Sequence, residues 1–209
     1  MFGDRKPLVR RPQAVAALTV AVSLALALTL AGTATAAGGR YTFDGGTAPQ
    51  QAQVRAALDA SLFDWDRVPA QITIHIAPGL TSCGVPGEIF LDADLLDAGR
   101  FSWGVVQHEY AHQVDFFVLD DAMRERLGAT LGGSSWWQTP AGLPHGELTS
   151  ERFASTLAWA YWPSPANSMR PASPREEAAA ATPAAFRSLL GRLLGVAVPS
   201  NRELAAARR

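Results

Sequence analysis

From Trp103 to Leu119 the chain contains no proline, and its one glycine, Gly104, sits at the second position. Apolar residues fall on more than one face of this stretch, so the pattern predicts a well-buried helix, with Ser102 as its N-cap. Inside it stands His108-Glu109-Tyr110-Ala111-His112. Residues i and i+4 of a helix share a face one turn apart. Two imidazoles so placed reach one Zn²⁺ with N–metal distances of about 2.0–2.1 Å. Glu109 is turned about 100° away, beside such an ion rather than on it, where a general base belongs.

The 209 residues allow one domain or two small ones. An apolar fraction of 48% against 18% charged supplies a core and excludes wholesale disorder. Net charge is −1, and Lys6 is the only lysine, so no basic nucleic-acid footprint exists. A single cysteine, Cys83, excludes a disulfide framework and a thiolate-rich zinc finger. Arg5, Lys6, Arg10 and Arg11 precede an apolar run from Ala14 to Ala31 and the small-residue stretch Gly32-Thr-Ala-Thr-Ala36-Ala. These are the three parts of a secretory signal. Cleavage is expected after Ala36, giving a signal peptide over 1–36 and one domain over 37–209 with its core at about 47–195. An uncleaved run would instead tether the protein to a membrane. Taking four basic residues and one acid from totals of 18 and 19 leaves 14 and 18, a mildly acidic secreted chain. It is expected to be a monomer, with no nucleic-acid partner and no membrane in its mature form.

Along that chain, 37–47 reads as a loose Gly-rich arm. Val54, Ala57, Leu58, Ser61 and Leu62 keep a helical period that Thr47 caps. Residues 71–76 alternate as a strand, and 88–93 read as a second short strand whose flanking acids suggest a sheet edge. A Gly/Pro loop, 78–87, joins the two. A turn or two of helix is expected over 121–128, and a long loop over 132–149, where such length points to function. Ser150 is expected to cap a helix over 151–162 that Pro163 ends. Thr182-Pro183 opens a last helix carrying Phe186, Leu189, Leu190, Leu193 and Leu194, before a frayed tail from Asn201.

Residues 70–162 resemble the zincin metallopeptidases: a strand, an edge strand, the H-E-x-x-H helix and a later helix follow in the order those folds use. The run from Trp103 to Asp115 is similar to the W-x-x-x-x-H-E-x-x-H-x-x-D run of several secreted gluzincin-like proteins. Asp115 and Val118 stand where the metzincin branch needs Gly and a His or Asp ligand, which excludes it. The gluzincin branch takes a Glu from a following helix as third ligand, and Glu151-Arg-Phe-Ala154, 39 residues after His112, fits. The resemblance therefore implies an α+β zincin-like fold, a small mixed sheet with an edge strand over the active-site helix. It implies one Zn²⁺ on His108, His112 and Glu151, Glu109 as general base, and a peptide or protein substrate. The chain departs from the pattern at Ser155, where many gluzincins carry an acid that supports a histidine ligand. Asp115 is a candidate for that support, or else a solvated helix acid.

Glu147 and His145 compete with Glu151 as third ligand from a Pro/Gly context that holds them less rigidly. His145 is otherwise read as a catalytic donor to the tetrahedral oxyanion, or as a loop histidine without a role. Tyr110 is a further donor candidate, whereas Tyr161 lies about 15 Å along the helix from Glu151. His75, among isoleucines, reads as packing. Cys83 borders the expected cleft, where a thiolate would cap the metal of a latent form. Trp136 and Trp137 are candidates for a substrate rim. Two functions remain open at this point: a secreted zinc peptidase, and an inactive zincin-like domain that binds zinc or a protein.

Overall fold

A computed structural model describes residues 39–137 and 142–208; the expected signal peptide lies outside them. The described residues form a mixed α+β fold, a four-stranded sheet with seven α-helices. Strand β1 (Tyr41–Gly45) leads into α1 (Ala48–Ala60), then β2 (Ile72–Ala77), β3 (Cys83–Val85) and β4 (Glu88–Asp92). A short α2 (Ala93–Leu96) precedes α3 (Trp103–Val118) and α4 (Asp121–Leu131). Next comes α5 (Thr149–Tyr161), then α6 (Pro183–Leu194) and α7 (Asn201–Ala207).

The sheet order is β1-β2-β4-β3, with β1, β2 and β4 parallel and β3 antiparallel to β4. Two expectations are corrected here. The Gly-rich arm contains a strand, because Tyr41 to Gly45 pair residue for residue with Ile72 to Ile76. And 88–93 is no edge: β4 is interior, and the edge on that side is the three-residue β3, formed inside the expected Gly/Pro loop. Pro86 and Gly87 make the tight turn between them, Gly87 with φ of 84°, a conformation glycine adopts without steric cost.

Alternation on the strands decides the buried face. Ile72, Ile74, Ile76, Ile89 and Leu91 are buried, while His75 points away, stacked on Phe90 and bonded to Asp44. Val54, Ala57 and Leu58 of α1 pack into the same core. The α1 start is as expected: Thr47 accepts from the Gln50 amide, and the Gln50 side chain accepts from that of Thr47.

Helix α3 is buried continuously from Val106 to Asp115, packed between α1, α5 and the β3–β4 hairpin. Its polar core residues tie it to those neighbours. Gln107 donates to the Ala57 carbonyl at 2.6 Å. Gln113 accepts from the Gly87 amide at 2.9 Å and donates to the carbonyls of Val85 and Glu88. One side chain thus satisfies the turn of the hairpin and holds the edge strand against the helix.

The expected serine caps are not used. A 3₁₀ turn over Gly99–Ser102 runs directly into α3, and Ser102 is already helical, its hydroxyl donating to Gly99. At α5 the residue before the helix is Leu148, which makes a parallel bridge with Ser135. Thr149 donates its hydroxyl to the Gly132 carbonyl, and Arg152 donates to Leu131 and Gly146. The end of α4 therefore fixes the start of α5. Helix α4 extends beyond the expected turn or two, capped by Asp120. Helix α6 starts at Pro183 under a Thr182 cap, as expected. The tail is ordered into α7 by a Ser200–Glu203 capping box rather than frayed. No helix among the described residues is long and apolar enough to cross a membrane.

Candidate metal centre

Helices α3 and α5 bring His108, His112 and Glu151 together. The His108 and His112 Nε2 atoms are 3.2 Å apart, and Glu151 Oε2 lies 3.1 and 3.3 Å from them. Donor atoms around a tetrahedral zinc at about 2.0–2.1 Å stand about 3.3–3.4 Å from one another. The three edges lie close to that spacing, the shorter two slightly inside it, and two of the three residues are buried. Burial works against the ionised Glu151, but its bonds to the three histidines outweigh this and hold its carboxyl well below the usual range.

Glu109 lies in the same cleft, 6% exposed, with Cys83, Gly84, Phe116, Trp137 and His145 also on its wall. The cleft encloses about 220 Å³. Burial pushes the Glu109 carboxyl up, against the pull of His108 and His112. Strand β3 sits directly over α3 here. A Cβ added to Gly84 would stand 2.9 Å from the Glu109 carbonyl oxygen and 3.1 Å from the His112 Cβ. Only glycine allows the edge strand this approach.

His145 reaches the cluster from a 3₁₀ turn, His145–Glu147, that precedes α5. Its Nε2 is 3.1 Å from Glu151 Oε2 and its Nδ1 is 2.5 Å from Glu177 Oε1. Bonds to these two carboxylates raise its pKa to about 10. Glu147, the other competitor, turns away and accepts from the Ser134 hydroxyl at 2.8 Å. It is not among the residues brought together.

Asp115 is neither solvated nor bonded to His112 in the way sequence reasoning offered. It is fully buried, accepting from Trp136 Nε1 at 2.9 Å and from Arg124 Nε at 2.9 Å. Burial raises its carboxyl, while these two donors oppose the rise. The tryptophan pair divides its work. Trp136 anchors the loop through Asp115, and Trp137, 42% exposed, stacks on Phe116 at 5.4 Å and lines the cleft. Tyr110 and Tyr161 are buried in the core and absent from the cleft wall. The Cys83 thiol is exposed at the cleft, and partial burial together with Glu109 raises its pKa, which disfavours the thiolate a metal cap needs.

One group was missed by sequence reasoning. The Ser155 hydroxyl lies 3.0 Å from His108 Nδ1 and donates to Glu177 Oε2 at 2.8 Å. Glu177, Ser155 and His145 thus surround the cluster, and Glu177 also groups with His145 and Glu151 as a second set of metal-capable side chains. Position 155 was the only signal that pointed this way: a hydroxyl where an acid was expected. Compared with protein-family models, curated proteins and solved structures, the chain matches none.

Proposed function

We propose that this chain is an exported zinc-dependent peptidase of zincin-like fold, with His108, His112 and Glu151 as metal ligands and Glu109 as general base. The observation that carries the reading is the donor triangle of 3.1, 3.2 and 3.3 Å with the Glu109 carboxylate in the same cleft. The charged N-terminus, apolar run and Ala-Thr-Ala end support export.

When bound, zinc supplies Lewis acidity that polarises a carbonyl and acidifies water. The residues do the rest. Glu109 accepts the proton of the attacking water as its oxygen adds to the peptide carbonyl carbon. It then returns that proton to the amine nitrogen as the C–N bond breaks. A carboxyl raised by burial suits a group that must both take and give a proton. With Nδ1 held by Glu177, His145 would turn its Nε2–H from Glu151 to the developing oxyanion once that carboxylate served the metal. Phe116 and Trp137, stacked on each other, give one side of the cleft an apolar wall.

Zinc quantitation and hydrolysis of a denatured protein, with and without chelator, test this in wild type and Glu109→Gln. Expected are one zinc in each protein, chelator-sensitive hydrolysis in wild type, and loss of hydrolysis in the variant. Near-normal turnover by Glu109→Gln sinks the mechanism. Stoichiometric zinc without hydrolysis in wild type selects the zinc-binding domain instead.

A further inference from the structure

We infer that Glu177 is the positioning acid of the centre, fixing the ring of His108 through Ser155 and holding His145 over the cleft directly. The catalytic half of this inference rests on the peptidase reading; the structural half does not.

The bonds close a ring. From His108 Nδ1 it runs to Ser155 Oγ at 3.0 Å, and from there to Glu177 Oε2 at 2.8 Å. Glu177 Oε1 meets His145 Nδ1, His145 Nε2 meets Glu151 Oε2 at 3.1 Å, and Glu151 Oε2 returns to His108 Nε2 at 3.1 Å. A hydroxyl has one proton to donate. A carboxylate is the strongest acceptor within reach of Ser155, so that proton goes to Glu177. The lone pairs of Ser155 then face His108, which must donate from Nδ1. With the Nδ1 proton committed to Ser155, Nε2 is the nitrogen left for a metal, which would take the place of the proton shared there with Glu151. Ser155 alone has no such preference, because a free hydroxyl donates or accepts equally well. The direction of the bond comes from Glu177.

The other oxygen of Glu177 acts on His145. That side chain is 65% exposed on a short turn, yet both its nitrogens are engaged by carboxylates, Glu177 on one side and Glu151 on the other. Glu177 itself stands on a single 3₁₀ turn, Glu177–Ala179, packed against α5 and anchored by buried Ala178. One residue outside the helices thus sets two rings that sequence separates by 37 positions.

The test uses the full mature chain as wild type, Glu177→Ala, Ser155→Ala, Ser155→Asp and the double variant Glu177→Ala/Ser155→Asp. Zinc affinity is read by competition with a chromophoric chelator. Histidine ¹⁵N spectra of the metal-free proteins read the Nδ1 proton of His108. Glu177→Ala is expected to weaken zinc by at least about tenfold, the range for losing an outer partner of a ligand. It should also speed solvent exchange of the His108 Nδ1 proton. Ser155→Asp, which brings a carboxylate to Nδ1 directly, should restore both in the Glu177→Ala background. It should not restore kcat, because His145 stays unheld; in that background His145→Ala should cost less than it does in wild type. Unchanged zinc affinity and unchanged His108 exchange in a folded Glu177→Ala protein overturn the inference. So does a second zinc per wild-type chain that Glu177→Ala abolishes, since Glu177 would then be a ligand with His145 and Glu151. If wild type binds no zinc, the peptidase reading fails, and the metal-free spectra still decide whether Glu177 orders His108.

Discussion

Gly84 of the edge strand lies against the main-chain carbonyl of Glu109, so close that a Cβ at position 84 would stand 2.9 Å from that oxygen. The two nearest atoms are backbone and a helix Cβ, neither of which swings aside. Gly84→Ala should therefore lift β3 from α3 and cost about 1–3 kcal/mol, the range for overpacking a filled site. Denaturant unfolding measures the loss, and raised KM with zinc still bound locates it at the cleft. A fully stable Gly84→Ala protein with unaltered kinetics would show that the contact is slack.

The two glutamates offered for third ligand now make opposite predictions. Glu151→Ala should lower zinc affinity by at least about tenfold, since catalytic sites hold zinc through three protein ligands. Glu147→Ala should leave stoichiometric zinc, because that carboxylate is spent on Ser134. Competition titrations on the two variants check both, and the reverse pattern would move the ligand to position 147.

Asp115→Ala removes a fully buried carboxylate and strands Trp136 Nε1 and Arg124. Arg124 retains Asp121 and some access to water, so the cost should fall at the lower end of the roughly 3–5 kcal/mol typical of breaking a buried pair. Because Trp136 adjoins Trp137, the loop should loosen at the cleft. Tryptophan fluorescence that shifts red before global unfolding begins checks this.

All three tyrosines of the chain are buried, and burial raises each phenol. Tyr41 and Tyr161 are each pushed up to about 12 from an ordinary 10.0. A folded pKa above the unfolded one gives stability that is complete below pH 10 and is lost as pH rises toward 12. Absorbance at the tyrosinate band should stay flat through pH 10 and then rise together with unfolding. Titration at ordinary tyrosine values in a folded protein would contradict it.

The H-E-x-x-H helix was legible because it rests on local spacing, one turn of helix between the histidines, whereas Glu151 was reached through the resemblance to the gluzincins. Helix α1 was legible for the same reason, through its apolar period from Val54 and the Thr47 cap. What local pattern did not carry was pairing at a distance. Tyr41 to Gly45 becomes a strand only because β2 supplies a partner about thirty residues on. Cys83-Gly84-Val85 is too short to show a period, and it displaced β4 from the edge. Glu177 lies in a Pro-rich stretch with no pattern, 22 residues beyond the serine it bonds. Ser102 and Ser150 looked like caps by residue type, but the chain enters both helices by other routes.

The closed ring of side chains around Glu151 Oε2 bears on how the proposed ion would be gained and lost. The atoms proposed as ligands stand close to coordination spacing on two packed helices. Stripping with a chelator should then leave the helices where they are, and reloading requires departure of protons from the cluster rather than a search by the backbone. Uptake should be quick, repeatable over many cycles, and slower in acid, where those protons are harder to displace. On the proposed reading, a chain exported to surroundings poor in zinc would be complete before its metal arrived.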